Sequence, residues 1–167
     1  MWSKVLKHFE NQPGRLAVVR VLIENGLSIR NGKIYCNMLE VDMVEVAKAA
    51  GVDRRTVAQT IKAVEGNPEL SVIFRYLRSA GHSLKEVARY LGFSVLEITP
   101  VDARIPGILA GAASLLAERG ISVRQALVDD PELHPEPKLT LIVEGEIPGE
   151  VIARVLKVKG VAKVSVY

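Results

Sequence analysis

Residues 45–61 have the sequence Glu-Val-Ala-Lys-Ala-Ala-Gly-Val-Asp-Arg-Arg-Thr-Val-Ala-Gln-Thr-Ile, which predicts two short helices joined by a tight turn. Gly51 supplies the positive φ that ends the first helix, and Asp53 stands where a side-chain cap would begin the second. Ala47 is small enough for the second helix to cross over it. We therefore expect a closely packed helix pair.

The second helix of this pair is amphipathic. Val57 and Ile61 turn toward the first helix, which leaves a polar face free. The stretch resembles the helix-turn-helix of bacterial and archaeal transcription regulators, so double-stranded DNA is the expected partner, contacted in the major groove. The residues expected to contact phosphates and base edges are Arg54, Arg55, Thr56, Gln59, Thr60 and Lys62.

Further helices and one turn surround the pair. Asn31-Gly32 between two alternating runs predicts a small β-hairpin with a two-residue turn. Asn67-Pro68 begins another helix, and Ser83 and Glu86 form a capping box before one more. We expect a mostly helical helix-turn-helix domain over residues 1–94.

The remainder of the chain changes to a mixed pattern. Its apolar runs and turns occur in the order strand, helix, strand, strand, helix, strand. This order predicts a ferredoxin-like βαββαβ domain over residues 95–167 and an α+β fold class for the chain. The expected elements are residues 96–101, 107–118, 121–128, 139–144, 149–157 and 161–166.

The back domain resembles the ACT domain through Pro106-Gly107-Ile108-Leu109 and Ala117-Glu-Arg-Gly120-Ile-Ser-Val123. The resemblance implies side-by-side dimers with an amino-acid effector at the interface between protomers. Gly107 would let the effector approach the backbone, Arg104 would pair its carboxylate, and Asp102 its ammonium. The residues implied to line this site are Asp102, Arg104, Ile105, Pro106, Gly107, Ile108, Leu109 and Ser122.

Two positions depart from the ACT pattern. Arg104 stands where an acidic residue is common, and Ser122 where an asparagine is common. The domain therefore binds either an amino acid, a different ligand, or no ligand, in which last case it only dimerises.

Charge divides the chain in the same place as the fold pattern. Before Val95 there are 14 Lys and Arg against 9 Asp and Glu, a net +5, and from Val95 onward 8 against 10, a net −2. A basic front half suits a nucleic-acid-binding module. The sequence has no apolar run of about 20 residues and no signal peptide, so we expect a cytoplasmic protein without membrane contact.

Catalysis is not expected. His8, His82 and His134 are scattered without the spacing of a metal site or a catalytic triad, and Cys36 is the sole cysteine. We expect neither an enzyme nor a cofactor or metal.

The combination of the two domains resembles archaeal predicted regulators of amino-acid metabolism. It implies a dimeric transcription regulator that responds to an amino acid. The alternative is a sensor or adaptor that does not bind DNA and regulates a metabolic enzyme by protein contact.

Overall fold

The computed structural model describes residues 2–167 and divides between Gly81 and His82 into two units, each with its own core. The first unit contains helices α1 (Trp2–Lys7), α2 (Pro13–Glu24), α3 (Met43–Ala50), α4 (Arg54–Glu65) and α5 (Pro68–Tyr76). Its strands are β1 (Leu27–Arg30), β2 (Lys33–Cys36) and β3 (Leu39–Val41). The second unit contains β4 (Phe93–Pro100), α6 (Ile108–Ala117), β5 (Val123–Val128), β6 (Leu139–Glu144), α7 (Gly149–Val155) and β7 (Val161–Val166).

The predicted hairpin in the first unit is confirmed. Asn31 and Gly32 have φ values of 53° and 74°, and Arg30 pairs with Lys33 across the turn. A further strand, β3, extends the hairpin to a three-stranded antiparallel sheet, β1-β2-β3, which the sequence pattern did not indicate. The Gly32 amide donates a hydrogen bond to the Glu65 carboxylate at the end of α4, 2.8 Å away.

The second unit has the expected ferredoxin-like topology, a four-stranded antiparallel sheet in the order β5-β6-β4-β7. Helices α6 and α7 bury one face of this sheet through a core that includes Leu96, Ile98, Leu116 and Val155. The alternate residues Val95 and Ile142 on the opposite face pack against a further helix of the 3₁₀ type. The chain therefore has the predicted α+β fold class.

The 3₁₀ helix Lys85–Leu91 belongs to the second unit, so the boundary between the units lies after Gly81 rather than after residue 94. The helix that follows the Ser83 capping box was expected to belong to the front domain, residues 1–94, but Lys85–Leu91 lies in the second unit. Ala88 is fully buried against Val95 and Ile142, which explains why this segment belongs with the sheet. Ser83 is not the cap that the sequence predicted, because Leu84 is the N-cap residue; the Ser83 Oγ accepts a hydrogen bond from the Lys85 amide at 3.3 Å in the turn before the helix.

Candidate nucleic-acid interface and effector cavity

The turn between α3 and α4 has the geometry that the sequence predicted. Gly51 adopts a left-handed conformation with φ of 64°, and the Val52 amide donates to the Ala47 carbonyl at 3.0 Å. The Asp53 carboxylate accepts hydrogen bonds from the amides of Arg55 and Thr56, at 2.6 and 3.1 Å. These contacts satisfy two of the free amides at the start of α4 and fix its first turn.

The exposed face of α4 includes most of the predicted DNA-contact residues. Arg54, Arg55, Gln59 and Lys62 are exposed, and Thr56 is half-buried. No acidic side chain among residues 2–167 lies within 4.0 Å of the three cations. Their charge is therefore available to an external anion.

Thr60 was wrongly assigned to this face. Its side chain is 0% exposed, and its hydroxyl donates to the Thr56 carbonyl at 2.7 Å. On a helix, position 60 shares the inward stripe of Val57, Ile61 and Val64, all of which are buried. The prediction that Thr60 is exposed was based on its polar side chain and not on its position along the helix.

Arg15 joins the exposed face of α4 although sequence reasoning missed it. Its Nη2 donates a hydrogen bond to Oε1 of Gln59 at 3.3 Å across 44 residues of sequence. The residue lies in the first turn of α2, outside the helix-turn-helix motif. Only the packing of α2 on α4 brings it here, so no local pattern could have found it.

The second unit holds a cavity of about 220 Å³ at one end of the sheet. Four of the eight predicted ligand-site residues line it, namely Ile105, Gly107, Ile108 and Leu109. The start of β6 and the end of β5 supply walls that the sequence did not indicate, since Leu139 pairs with both Ile98 and Val128. The added lining residues are Pro100, Ala103, Val128, Asp129, Pro137, Lys138 and Leu139.

Three predicted ligand-site residues in the β4–α6 loop do not line the cavity: Asp102, Arg104 and Pro106 are exposed beside it. The Asp102 carboxylate accepts a hydrogen bond from the Arg104 amide at 2.9 Å and so stabilises the loop itself. Asp102 and Arg104 therefore do not contact this cavity in the single chain, and their pairing with a ligand between protomers stays a prediction.

Ser122 lies at the opposite end of the sheet. Its carbonyl accepts from the Glu144 amide at 3.0 Å, and Glu144 pairs with Phe93 at the start of β4. The cavity is at the other end of β4, beside Pro100. Because β5 runs the length of the sheet between Ser122 and the cavity, Ser122 cannot contact a ligand held there by the same chain.

A buried carboxylate lies on the face of the sheet away from α6 and α7. Glu97 is 5% exposed, and its oxygens lie 2.6 Å from Lys85 Nζ and 3.7 Å from Lys138 Nζ. Burial raises the pKa of the Glu97 carboxyl, but the hydrogen bond from Lys85 and the charges of both lysines outweigh burial and hold the pKa below its ordinary value. The hydrogen bond to Glu97 correspondingly raises the pKa of Lys85.

A larger and more open cavity of about 470 Å³ adjoins Lys85, Glu86, Arg89, Val95 and Tyr167. Lys85 is already paired with Glu97, and none of the predicted ligand-site residues lines this larger cavity. We therefore regard the smaller cavity as the better candidate for a ligand.

Within residues 2–167, no group of three or more His, Cys, Asp or Glu side chains is arranged to hold a metal ion. Over the same residues, no helix is long and apolar enough to cross a bilayer.

No protein-family model and no curated protein matches the chain. Among solved structures, the regulatory subunit of aspartate kinase from Thermus thermophilus is 25% identical, with a TM-score of 0.36, over 46% of this chain and 51% of its own. The chain thus spans about half the length of that subunit.

Two transcription regulators are similar over most of their length. An AsnC family transcriptional regulator from Agrobacterium tumefaciens is 17% identical, with a TM-score of 0.30, over 93% of this chain and 87% of its own. The leucine response regulatory protein of Mycobacterium tuberculosis is 18% identical, with a TM-score of 0.29, over 93% and 90%. TM-scores this low establish no function for the chain.

Proposed function

We propose that this chain is a cytoplasmic transcription regulator that binds double-stranded DNA through α4 and whose DNA affinity responds to an amino acid. The observation that carries the proposal is the capped, exposed face of α4, where Arg54, Arg55 and Lys62 have no acidic partner among the described residues. Unpaired cations on a helix that is fixed at its first turn suit a polyanion with a helix-sized groove.

The side chains on α4 divide into two chemical roles. Arg54 and Arg55 follow the turn directly, where arginine pairs with phosphate or with the O6 and N7 atoms of guanine. Gln59 lies one turn further along and has the amide that hydrogen-bonds base edges. These three residues form the core of the proposed contact.

The effector is proposed to bind the 220 Å³ cavity. Its walls are mainly aliphatic, and the charged residues among them are Asp129, whose carboxylate accepts a hydrogen bond from the Lys138 amide, and Lys138, whose Nζ lies 3.7 Å from Glu97. An apolar space beside a carboxylate suits a small ligand that has an ammonium group and an apolar side chain, such as an amino acid. This assignment retains the amino-acid effector implied by the ACT resemblance but moves its charged partners from Asp102 and Arg104.

Dimerisation is proposed through the edge strand β5. This strand is unpaired on one side, and Val123 and Val128 are exposed on it. If two copies pair their β5 strands antiparallel, Ser122 of one copy approaches Val128 of the other, which lines the cavity. Ser122 would then complete the effector site from a second copy, as in the ACT arrangement, and effector binding would act on the dimer that holds two α4 helices.

The direct test is DNA binding by the full chain to its own upstream DNA, measured by fluorescence anisotropy at two salt concentrations. The measurement is repeated with a mixture of the twenty amino acids. We expect affinity that falls steeply with salt and changes with the mixture. Arg54→Glu with Arg55→Glu should abolish binding while the oligomeric state in analytical ultracentrifugation stays the same.

The matched control is Lys4→Glu with Lys7→Glu, which makes the same change in charge on α1, outside the proposed interface. This control should weaken binding far less than the α4 pair. If the two double variants lost the same affinity for DNA, binding would depend on the net charge of the chain and not on α4. No binding by the unmodified chain at either salt concentration would favour the adaptor alternative.

A further inference from the structure

The start of α2 is packed directly against the start of α4. A Cβ placed on Gly14 would lie 3.3 Å from Cγ2 of Thr56 and 3.6 Å from Cγ1 of Val52. The α2 backbone therefore approaches the α3–α4 turn with no side chain between them at this point. The next residue along α2, Arg15, is carried to the edge of the α4 surface.

The Arg15 guanidinium is anchored there by a neutral partner. Its Nη2 donates to Gln59 Oε1 at 3.3 Å, and Gln59 lies one helical turn after Arg55 on the same exposed face. No acidic side chain within residues 2–167 lies within 4.0 Å of Arg15. The positive charge is thus held in place without being neutralised.

A guanidinium has five N–H donors in a rigid fork, so the bond to Gln59 leaves others free for a second acceptor. A phosphate of the DNA backbone is the acceptor that suits this fork at the edge of a helix lying in a groove. Anchoring also lowers the conformational entropy that the side chain would lose on binding.

We propose that Arg15, from outside the helix-turn-helix, contacts a backbone phosphate of the DNA and so belongs to the DNA-binding surface. This proposal rests on the proposed function. The contact comes from α2, which lies outside the helix-turn-helix. Its role is to position the protein on the duplex and not to recognise bases.

The test compares Arg15→Ala with Arg20→Ala in the full chain. Arg20 is an exposed arginine of the same helix, and five residues correspond to a rotation of about 140° around the helix axis, to a different face. We expect Arg15→Ala to lower affinity equally for every DNA sequence and to reduce the slope of log K against log salt by about 0.9, as for one lost phosphate contact. Arg20→Ala should leave both quantities unchanged.

Arg15→Lys separates a charge contact from a structural role. A lysine keeps the charge, so the salt slope of Arg15→Lys should equal that of the unmodified chain even where affinity falls. Two results would refute the phosphate contact and leave the proposed function standing. In the first, Arg15→Lys reduces the salt slope as much as Arg15→Ala does. In the second, Arg15→Ala keeps the full salt slope while the Arg54 and Arg55 reversals abolish binding. Absence of DNA binding by the unmodified chain refutes the proposed function itself.

Discussion

The exposed face of α4 is built from one helix, whereas the walls of the 220 Å³ cavity come from separate segments around α6, β5 and β6. A helical surface needs only its cap and its inward stripe to be in place. The cavity exists only when the sheet has its full register, because Val128 and Leu139 meet by strand pairing. The first kind of site is local and the second depends on the entire unit.

The two units also use charge differently. On α4, Arg54, Arg55 and Lys62 have no acidic partner within the described part of the chain. In the second unit, several cations are neutralised within the chain: Lys85 by Glu97, Arg119 by Glu150, Arg124 by Glu144 and Arg154 by Glu118. Free cations on α4 suit a surface for phosphate, whereas ion pairing offsets the charge of these four cations of the second unit.

The largest effect is expected from a substitution that destabilises α4 and leaves the cavity of the second unit unchanged. Ile61→Ala removes a side chain that is 3% exposed under α4, and we expect a loss of about 2–5 kcal/mol in the free energy of unfolding of the first unit. DNA binding should fall with it. Urea unfolding followed by circular dichroism measures the loss, and effector binding by calorimetry should persist because the second unit has its own core.

A pH experiment tests the buried ion pair. Since the folded state lowers the pKa of Glu97 below its ordinary value of 4.5, the pair contributes stability above that value and loses it as pH falls through the folded pKa. Since the folded state raises the pKa of Lys85 above 10.5, its contribution is present below 10.5 and lost as pH rises through the folded pKa. Glu97→Gln should flatten both limbs of the stability profile; unchanged limbs would refute the role of the pair.

A substitution at Gly107 tests whether the cavity depends on the backbone conformation of the β4–α6 loop. It has φ of 95°, and a Cβ there would meet no atom within 4 Å, so the cost of Gly107→Ala is backbone strain alone, about 1–2 kcal/mol. Gly149→Ala is the control, because that position is equally open without a positive φ. Thermal unfolding should separate the two variants, and effector affinity should fall only for Gly107→Ala.

The smallest expected effect concerns Thr60. Thr60→Val keeps the shape of a buried side chain and removes a hydroxyl that bonds only to the Thr56 carbonyl, so stability should change by no more than about 1 kcal/mol. DNA affinity should not change. A large loss of affinity with normal folding would return Thr60 to the DNA-binding surface.

The parts of the fold that the sequence predicted depend on neighbours along the chain. The Asn31-Gly32 turn, the Asp53 cap and the Gly51 helix end each need only a few consecutive residues, and all are present in the structure. The alternating and helical runs of the second unit likewise gave its topology, since each strand and helix buries one face.

What the sequence could not predict depends on pairing between distant segments. Lys138 lines the cavity because the neighbouring Leu139 pairs with Val128 of β5, and Arg15 reaches Gln59 because α2 packs on α4. The distance of Ser122 from the cavity of the same chain could not be predicted for the same reason, since only the strand pairing shows that it lies at the far end of β5. The short strand β3 has three residues, too few for a periodic pattern.

The bond between Gly32 and Glu65 has a mechanical consequence. Gly14 packs against the first turn of α4, and the Gly32 amide of the hairpin bonds Glu65 at its last turn. Both ends of α4 are therefore held by neighbouring elements. A helix that is held at both ends loses less conformational freedom when it binds a partner. We therefore expect one added residue in the β1–β2 turn to displace the Gly32 amide and weaken its hydrogen bond to Glu65 at the end of α4.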